Sequence, residues 1–80
     1  MRKVAVIARI FPKDPSKIDE IERELRKNFN VADSRIEEIG FGVKILKVAL
    51  LLPDSETNYE EKIKSIGEVS EVQVEDVSLI

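Results

Sequence analysis

The ten residues Val43–Leu52 (Val-Lys-Ile-Leu-Lys-Val-Ala-Leu-Leu-Leu), bounded by Gly42 and Pro53, restrict the fold of this chain more than any other segment. The run is too short to span a bilayer, which takes about 20 apolar residues as a helix. As a strand it presents Leu46, Val48, Leu50 and Leu52 on one face and Ile45, Lys47, Ala49 and Leu51 on the other. A second run, residues 3–11 (Lys-Val-Ala-Val-Ile-Ala-Arg-Ile-Phe), is rich in β-branched residues and also reads as a strand. Two such strands need each other and an apolar cover.

The cover is written between and after them. Pro12, Asp14 and Pro15 stop the first strand, and Ser16 with Asp19 three residues on resembles a capping box. Ile18, Ile21, Leu25 and Phe29 then recur at steps of three and four, the apolar stripe of an amphipathic helix. Glu20, Arg23, Glu24 and Lys27 lie opposite, at spacings suited to ion pairs, and Asn28 or Asn30 ends the helix. Residues 33–39 read as a weaker strand. After Pro53, Thr57 or Asn58 caps a shorter helix with Tyr59, Ile63 and Ile66 on one side, and Gly67 takes the left-handed position after it. Val72, Val74, Val77 and Leu79 mark a last strand.

The order β-α-β-β-α-β in 80 residues predicts a single α+β domain over residues 1–80. Its most economical form is a ferredoxin-like sandwich, a four-stranded antiparallel sheet of order 4-1-3-2 with both helices on one face. Right-handed crossovers put the helices on the same side. If Val4, Val6, Ala8 and Ile10 face the helices with Leu46, Val48, Leu50 and Leu52, the open face carries Ala5, Ile7, Arg9 and Phe11 beside Ile45, Lys47, Ala49 and Leu51. Such a face is an apolar interface unless long side chains cover it.

Most chemistry is excluded by composition. The chain has no His and no Cys, so no thiolate, no disulfide and no His-dependent nucleophile or metal site. The pairs Glu37-Glu38, Glu60-Glu61 and Glu75-Asp76 read as solvated charge, and Asp54-Ser55-Glu56 is too short for a calcium loop. Gly40-Phe41-Gly42 is neither a phosphate-binding nor a dinucleotide fingerprint. No metal, cofactor or enzymatic activity is expected. A net charge of −3 and the lack of aromatics in mid-strand argue against direct nucleic-acid binding. No membrane span or signal peptide is read, which makes the cytoplasm the expected compartment. Charge is split along the chain: residues 1–13 carry Arg2, Lys3, Arg9 and Lys13 and no acid, whereas residues 53–80 carry eight acids against Lys62 and Lys64. The split either orients docking on a charged partner or is ordinary surface solvation.

One segment is left without a role in the monomer. In Ile39-Gly40-Phe41-Gly42-Val43-Lys44-Ile45-Leu46, two glycines flank an aromatic at a turn between strands. Glycines there permit backbone shapes closed to other residues and leave little to bury the ring. Phe41 is then a contact for a partner protein or a plug at one end of the core, and Lys44 a partner contact or a solvated strand end.

That segment, with Pro53-Asp54-Ser55-Glu56-Thr57, the ending Val69–Val77 and the opening strand into Phe11-Pro12-Lys13-Asp14-Pro15, is similar to the archaeal elongation factor 1-beta family. The similarity covers nearly all of the chain, and Ile-Gly-Phe-Gly-x-Lys-x-Leu is its most specific part. It implies a guanine nucleotide exchange factor that acts on the GTPase elongation factor 1-alpha by disturbing its magnesium and phosphate site. It implies a partner-binding loop at Gly40, Phe41 and Gly42, with Lys44 as the nearby cation. The chain departs from the family in two ways. It has no Lys after Lys64 to match the near-terminal lysine of eukaryotic members, leaving Arg9, Lys44, Lys47 or the terminal carboxylate as candidates for that task. It is also a little shorter near Glu38-Ile39 and Ser55–Asn58. A monomer when free is expected. The alternative function is a small-ligand-sensing or oligomerisation module of the same fold, which gives the Gly-Phe-Gly segment no task.

Overall fold

Alternation in the two β-branched runs decides the sheet. In the computed structural model, which describes residues 2–80, β1 (Lys3–Pro12) and β3 (Val43–Pro53) are antiparallel neighbours, with Val6 opposite Leu50 and Ile10 opposite Leu46. β2 (Asn30–Gly40) pairs with β3, β4 (Val69–Leu79) pairs with β1, and the order β2-β3-β1-β4 is the expected 4-1-3-2 ferredoxin-like arrangement. α1 (Ile18–Asn28) follows β1 and α2 (Tyr59–Lys64) follows β3. The molecule is elongated, 41 × 22 × 16 Å, because the β2–β3 hairpin runs past the end of β1.

One face of the sheet and one stripe of each helix make the core. Val6, Ala8, Ile10, Leu46, Val48, Leu50 and Leu52 are buried under Ile18, Ile21, Leu25, Phe29 and Ile63, and no polar side chain among the described residues is buried with them. Each such aliphatic side chain contributes roughly 1.5–3 kcal/mol on burial, so these residues supply most of the favourable term. α1 carries Asp19 and Glu20 in its first turn and Arg26 and Lys27 in its last, the arrangement the helix dipole favours. Lys27 pairs with Glu24 and Arg26 with Glu22, each at 3.4 Å.

The helix ends differ from the sequence reading. No capping box forms at Ser16 and Asp19. Pro15 fixes the first position of a 3-10 turn (Pro15–Lys17), which makes Asp14 the cap: its Oδ1 accepts from the Ser16 N–H at 3.0 Å and the Ser16 hydroxyl at 2.9 Å. α1 ends at Asn28, whose side chain donates to the Glu24 carbonyl at 2.8 Å, while Asn30 already belongs to β2. Asn58 precedes α2 without a side-chain cap bond. Gly67 is not left-handed, because α2 stops at Lys64 and Ser65 closes it by donating to the Lys62 carbonyl.

β2 is longer than the expected 33–39 and is bulged. Val31 faces Leu50 and Asp33 faces Ala49, leaving Ala32 as the extra residue. In β4, Ile7 faces Asp76 and Ala8 faces Val74, leaving Glu75 extra. The three-residue step from Val74 to Val77 is the sequence mark of that bulge.

Two outcomes follow. Leu50→Ala is expected to lose about 3 kcal/mol in urea unfolding, by transfer and cavity terms together. Hydrogen bonds from the Ser16 backbone and hydroxyl hold the Asp14 carboxyl below its ordinary range. A lowered folded-state value contributes stability above the unfolded pKa and loses it as pH falls through the folded one. Asp14→Asn should therefore flatten the acid limb of the stability profile, measured by melting temperature from pH 7 down to pH 2, and leave the neutral and alkaline limbs parallel to wild type.

Candidate functional site

The β2–β3 hairpin leaves the body of the sheet as a two-stranded arm. Glu38 faces Lys44 and Gly40 faces Val43, with Ile39 bulged between them, so the chain reverses through Phe41 and Gly42 alone. A two-residue hairpin turn that matches the strand twist needs positive φ at both central residues. Phe41 has φ 53° and Gly42 φ 75°, and Gly40 before them has φ 114°. Phe41 is the only non-glycine with positive φ among the described residues. For a bulky side chain that conformation costs roughly 1–2 kcal/mol.

Nothing in the monomer offsets this cost. The Phe41 side chain is fully exposed (relative accessibility 107%), so it is not a plug on the core. Ile39 and Val43 on the same arm are also exposed, at 50% and 45%, and so is Ile36 at its base, at 53%. Lys44 is exposed and has no ion-pair partner within 4.0 Å among the described residues. The four residues singled out in the sequence, Gly40, Phe41, Gly42 and Lys44, thus share one end of the long axis.

The open face of the sheet is less apolar than expected. Alternation along β1 and β3 is as read, but Ile45 is fully buried on that face, and Ala5, Ile7, Phe11, Ala49 and Leu51 are half-buried. Long charged side chains cover them. The bulge turns Glu75 onto this face, where one carboxylate oxygen lies 3.2 Å from Arg9 Nε and 3.5 Å from Lys47 Nζ. Arg9 Nε is sealed from solvent and, although within ion-pair distance of Glu75, is not aligned to donate a hydrogen bond to it. Arg9 and Lys47 stand directly opposite each other, a like-charge pairing that Glu75 neutralises. The charge split along the sequence is therefore partly spent inside the molecule. The face carries a shallow hollow of about 170 Å³ beside Ile7, Arg35, Lys47 and Ala49.

Among the described residues no group of three acidic side chains converges as a metal site, and no helix is long and apolar enough to cross a membrane. The family described as EF-1 guanine nucleotide exchange domain matches residues 5–80.

The chain belongs to that family.

It is 36% identical to an elongation factor 1-beta of Thermoplasma acidophilum over the full length of both chains. It is 38% identical to one of Methanosphaera stadtmanae, with 96% of each chain covered. It is 34% identical to one of Aeropyrum pernix, with 98% of this chain and 97% of the relative covered. Within this EF-1 exchange-domain fold, sequence reasoning passed over Glu75, whose clamp depends on the bulge, and the exposure of Ile39 and Val43, which depends on the arm outrunning β1.

The turn makes a stability test possible. Asn-Gly is the favoured pair for such a hairpin reversal. Phe41→Asn should raise stability by about 0.5–1 kcal/mol in urea unfolding, since it relieves strain and removes no burial. Gly42→Val, with open space around its Cβ but a positive φ, should lower it by roughly 1–2 kcal/mol.

Proposed function

We propose that this chain, as one exchange domain over residues 1–80, promotes GDP release and GTP loading on the translation GTPase elongation factor 1-alpha. The observation that carries the reading is Phe41: a strained, fully exposed aromatic at the tip of an arm. Family membership supplies the kind of partner. Gly40, Phe41 and Gly42 form the contact loop, and Lys44 adds a cation beside it. Of the three cations considered for the partner's magnesium and phosphate site, Arg9 and Lys47 are held by Glu75, whereas Lys44 is unpaired among the described residues. That favours Lys44.

The work is binding, not bond-making, so the chain is not an enzyme in the covalent sense. An exchange factor that binds the nucleotide-free GTPase more tightly than its GDP form weakens GDP by the same factor, by thermodynamic linkage. Surface shape and a few charges suffice, with no cofactor. On this reading the chain needs no direct nucleic-acid or membrane contact, is a monomer when free and works in the cytoplasm.

Displacement of fluorescent GDP from an archaeal elongation factor 1-alpha tests this. Substoichiometric wild type should accelerate release. Phe41→Asn should reduce the effect at least about tenfold, as loss of an aromatic anchor does, while being no less stable. Lys44→Ala should reduce it less, by roughly threefold. GDP release that stays at its intrinsic rate over a wide range of added protein would overturn the proposal.

A further inference from the structure

The cations of the open face stand in one row. Arg35 of β2 is opposite Lys47 of β3, and Lys47 is opposite Arg9 of β1, so three like charges occupy neighbouring strands on one side of the sheet. Strand spacing brings their backbones within about 10 Å. Directly facing like charges destabilise a sheet, and here the penalty is incurred twice. The relief is incomplete. Within ion-pair distance the three cations meet two carboxylates, Glu75 between Arg9 and Lys47 and Asp33 beside Arg35, which leaves one positive charge over. The Asp33–Arg35 contact is 3.6 Å long with both side chains 66% exposed, so it holds the guanidinium weakly.

Their hydrogen-bonding capacity is also unspent. Arg26, Lys27 and Lys62 each donate to a neighbouring side chain. Arg9, Lys47 and Arg35 donate to none among the described residues, and the sealed Arg9 Nε has no acceptor. The hollow of about 170 Å³ lies against this row, with Arg35 and Lys47 on its polar side and Ile7 and Ala49 on its apolar side. At about 30 Å³ per water it holds roughly five waters or one phosphate-sized group, and it is too small for most organic ligands. A monocarboxylate brings nothing that Glu75 and Asp33 do not already supply. A phosphate group brings nearly two negative charges and three accepting oxygens. We propose that Arg35 and Lys47 form an oxyanion site for a single phosphate group, free or carried on a larger molecule. On binding, the phosphate replaces Asp33 at Arg35 and Glu75 at Lys47. Glu75 is then left to Arg9 alone, and the exposed Asp33 carboxylate turns to solvent. The site is independent of the arm and of the exchange function.

Titration with inorganic phosphate, and separately with glycerol phosphate, tests the site when amide NMR shifts are followed at constant ionic strength. Saturable shifts are expected at Ile7, Arg35, Lys47 and Ala49, with half-saturation below about 10 mM. Arg35→Gln should weaken binding about tenfold, the effect of losing a charged hydrogen-bond donor. Asp33→Asn removes a competing anion and should tighten binding about threefold. Arg23→Gln, at an exposed position on α1, is the control and should leave the titration unchanged. Melting temperatures verify that the variants fold. Equal affinity for both probes supports recognition of the phosphate group alone, and tighter binding of glycerol phosphate supports a larger phosphorylated ligand. Shifts that do not saturate, that sodium chloride alone reproduces, or that persist unchanged in Arg35→Gln overturn the site.

Discussion

Everything in this molecule depends on keeping one parity along the two central strands. Val6, Ala8 and Ile10 of β1 and Leu46, Val48 and Leu50 of β3 must all face the helices, since a slip of one residue would send the apolar set to solvent and put Arg9 and Lys47 in the core. Burying two cations without partners would cost far more than any surface contact returns. The register is thus enforced twice, by what must be buried and by what cannot be. The helices only complete a pattern that β1 and β3 already impose.

The edge strands have the opposite freedom and use it. Bulges at Ala32 and Ile39 in β2 and at Glu75 in β4 interrupt regular pairing on both exposed edges, which also makes them poor templates for another chain. At Glu75 the bulge does more. It places two successive acids, Glu75 and Asp76, on the open side and lets one carboxylate sit between Arg9 and Lys47. About a third of each of these side chains is exposed, so the bridge is worth at most about 1 kcal/mol. Its larger effect is to pair two facing cations and cover the apolar floor beneath them with charged side chains.

How legible this was in the sequence follows from the range of each determinant. Strand order, helix faces and core parity are periodic over many residues, so Leu25, Val48 and Leu50 could be placed from spacing alone. The exposed turn was legible because glycines at 40 and 42 act on the backbone directly. Caps were misread where a neighbour competed: Pro15 moved the cap from Ser16 to Asp14, and an early stop of α2 left Gly67 without the task assigned to it. The open face was misjudged because its cover comes from β4, whose bulge shows in sequence only as the three-residue step from Val74 to Val77. Exposure of Ile39 and Val43 is a matter of how far β2 and β3 outrun β1, which no local pattern encodes.

The tip of the arm also shows where local turn preference is overridden. Every rule of turn chemistry asks for Asn before Gly42, and the chain places Phe there at positive φ with its whole ring in water. Sequences specify one fold when local preferences and global packing agree, and disagreements collect at functional positions. Strain of this kind persists only where the surroundings hold it, and here Gly40 and Gly42 do so by accepting the backbone that Phe41 resists. A turn so constrained keeps the ring at a fixed position on the arm, and under the exchange function proposed above that lowers the entropy lost when the GTPase closes around it. The strain of the turn and the exposure of the ring thus have one origin: an aromatic side chain fixed where nothing in the monomer buries it.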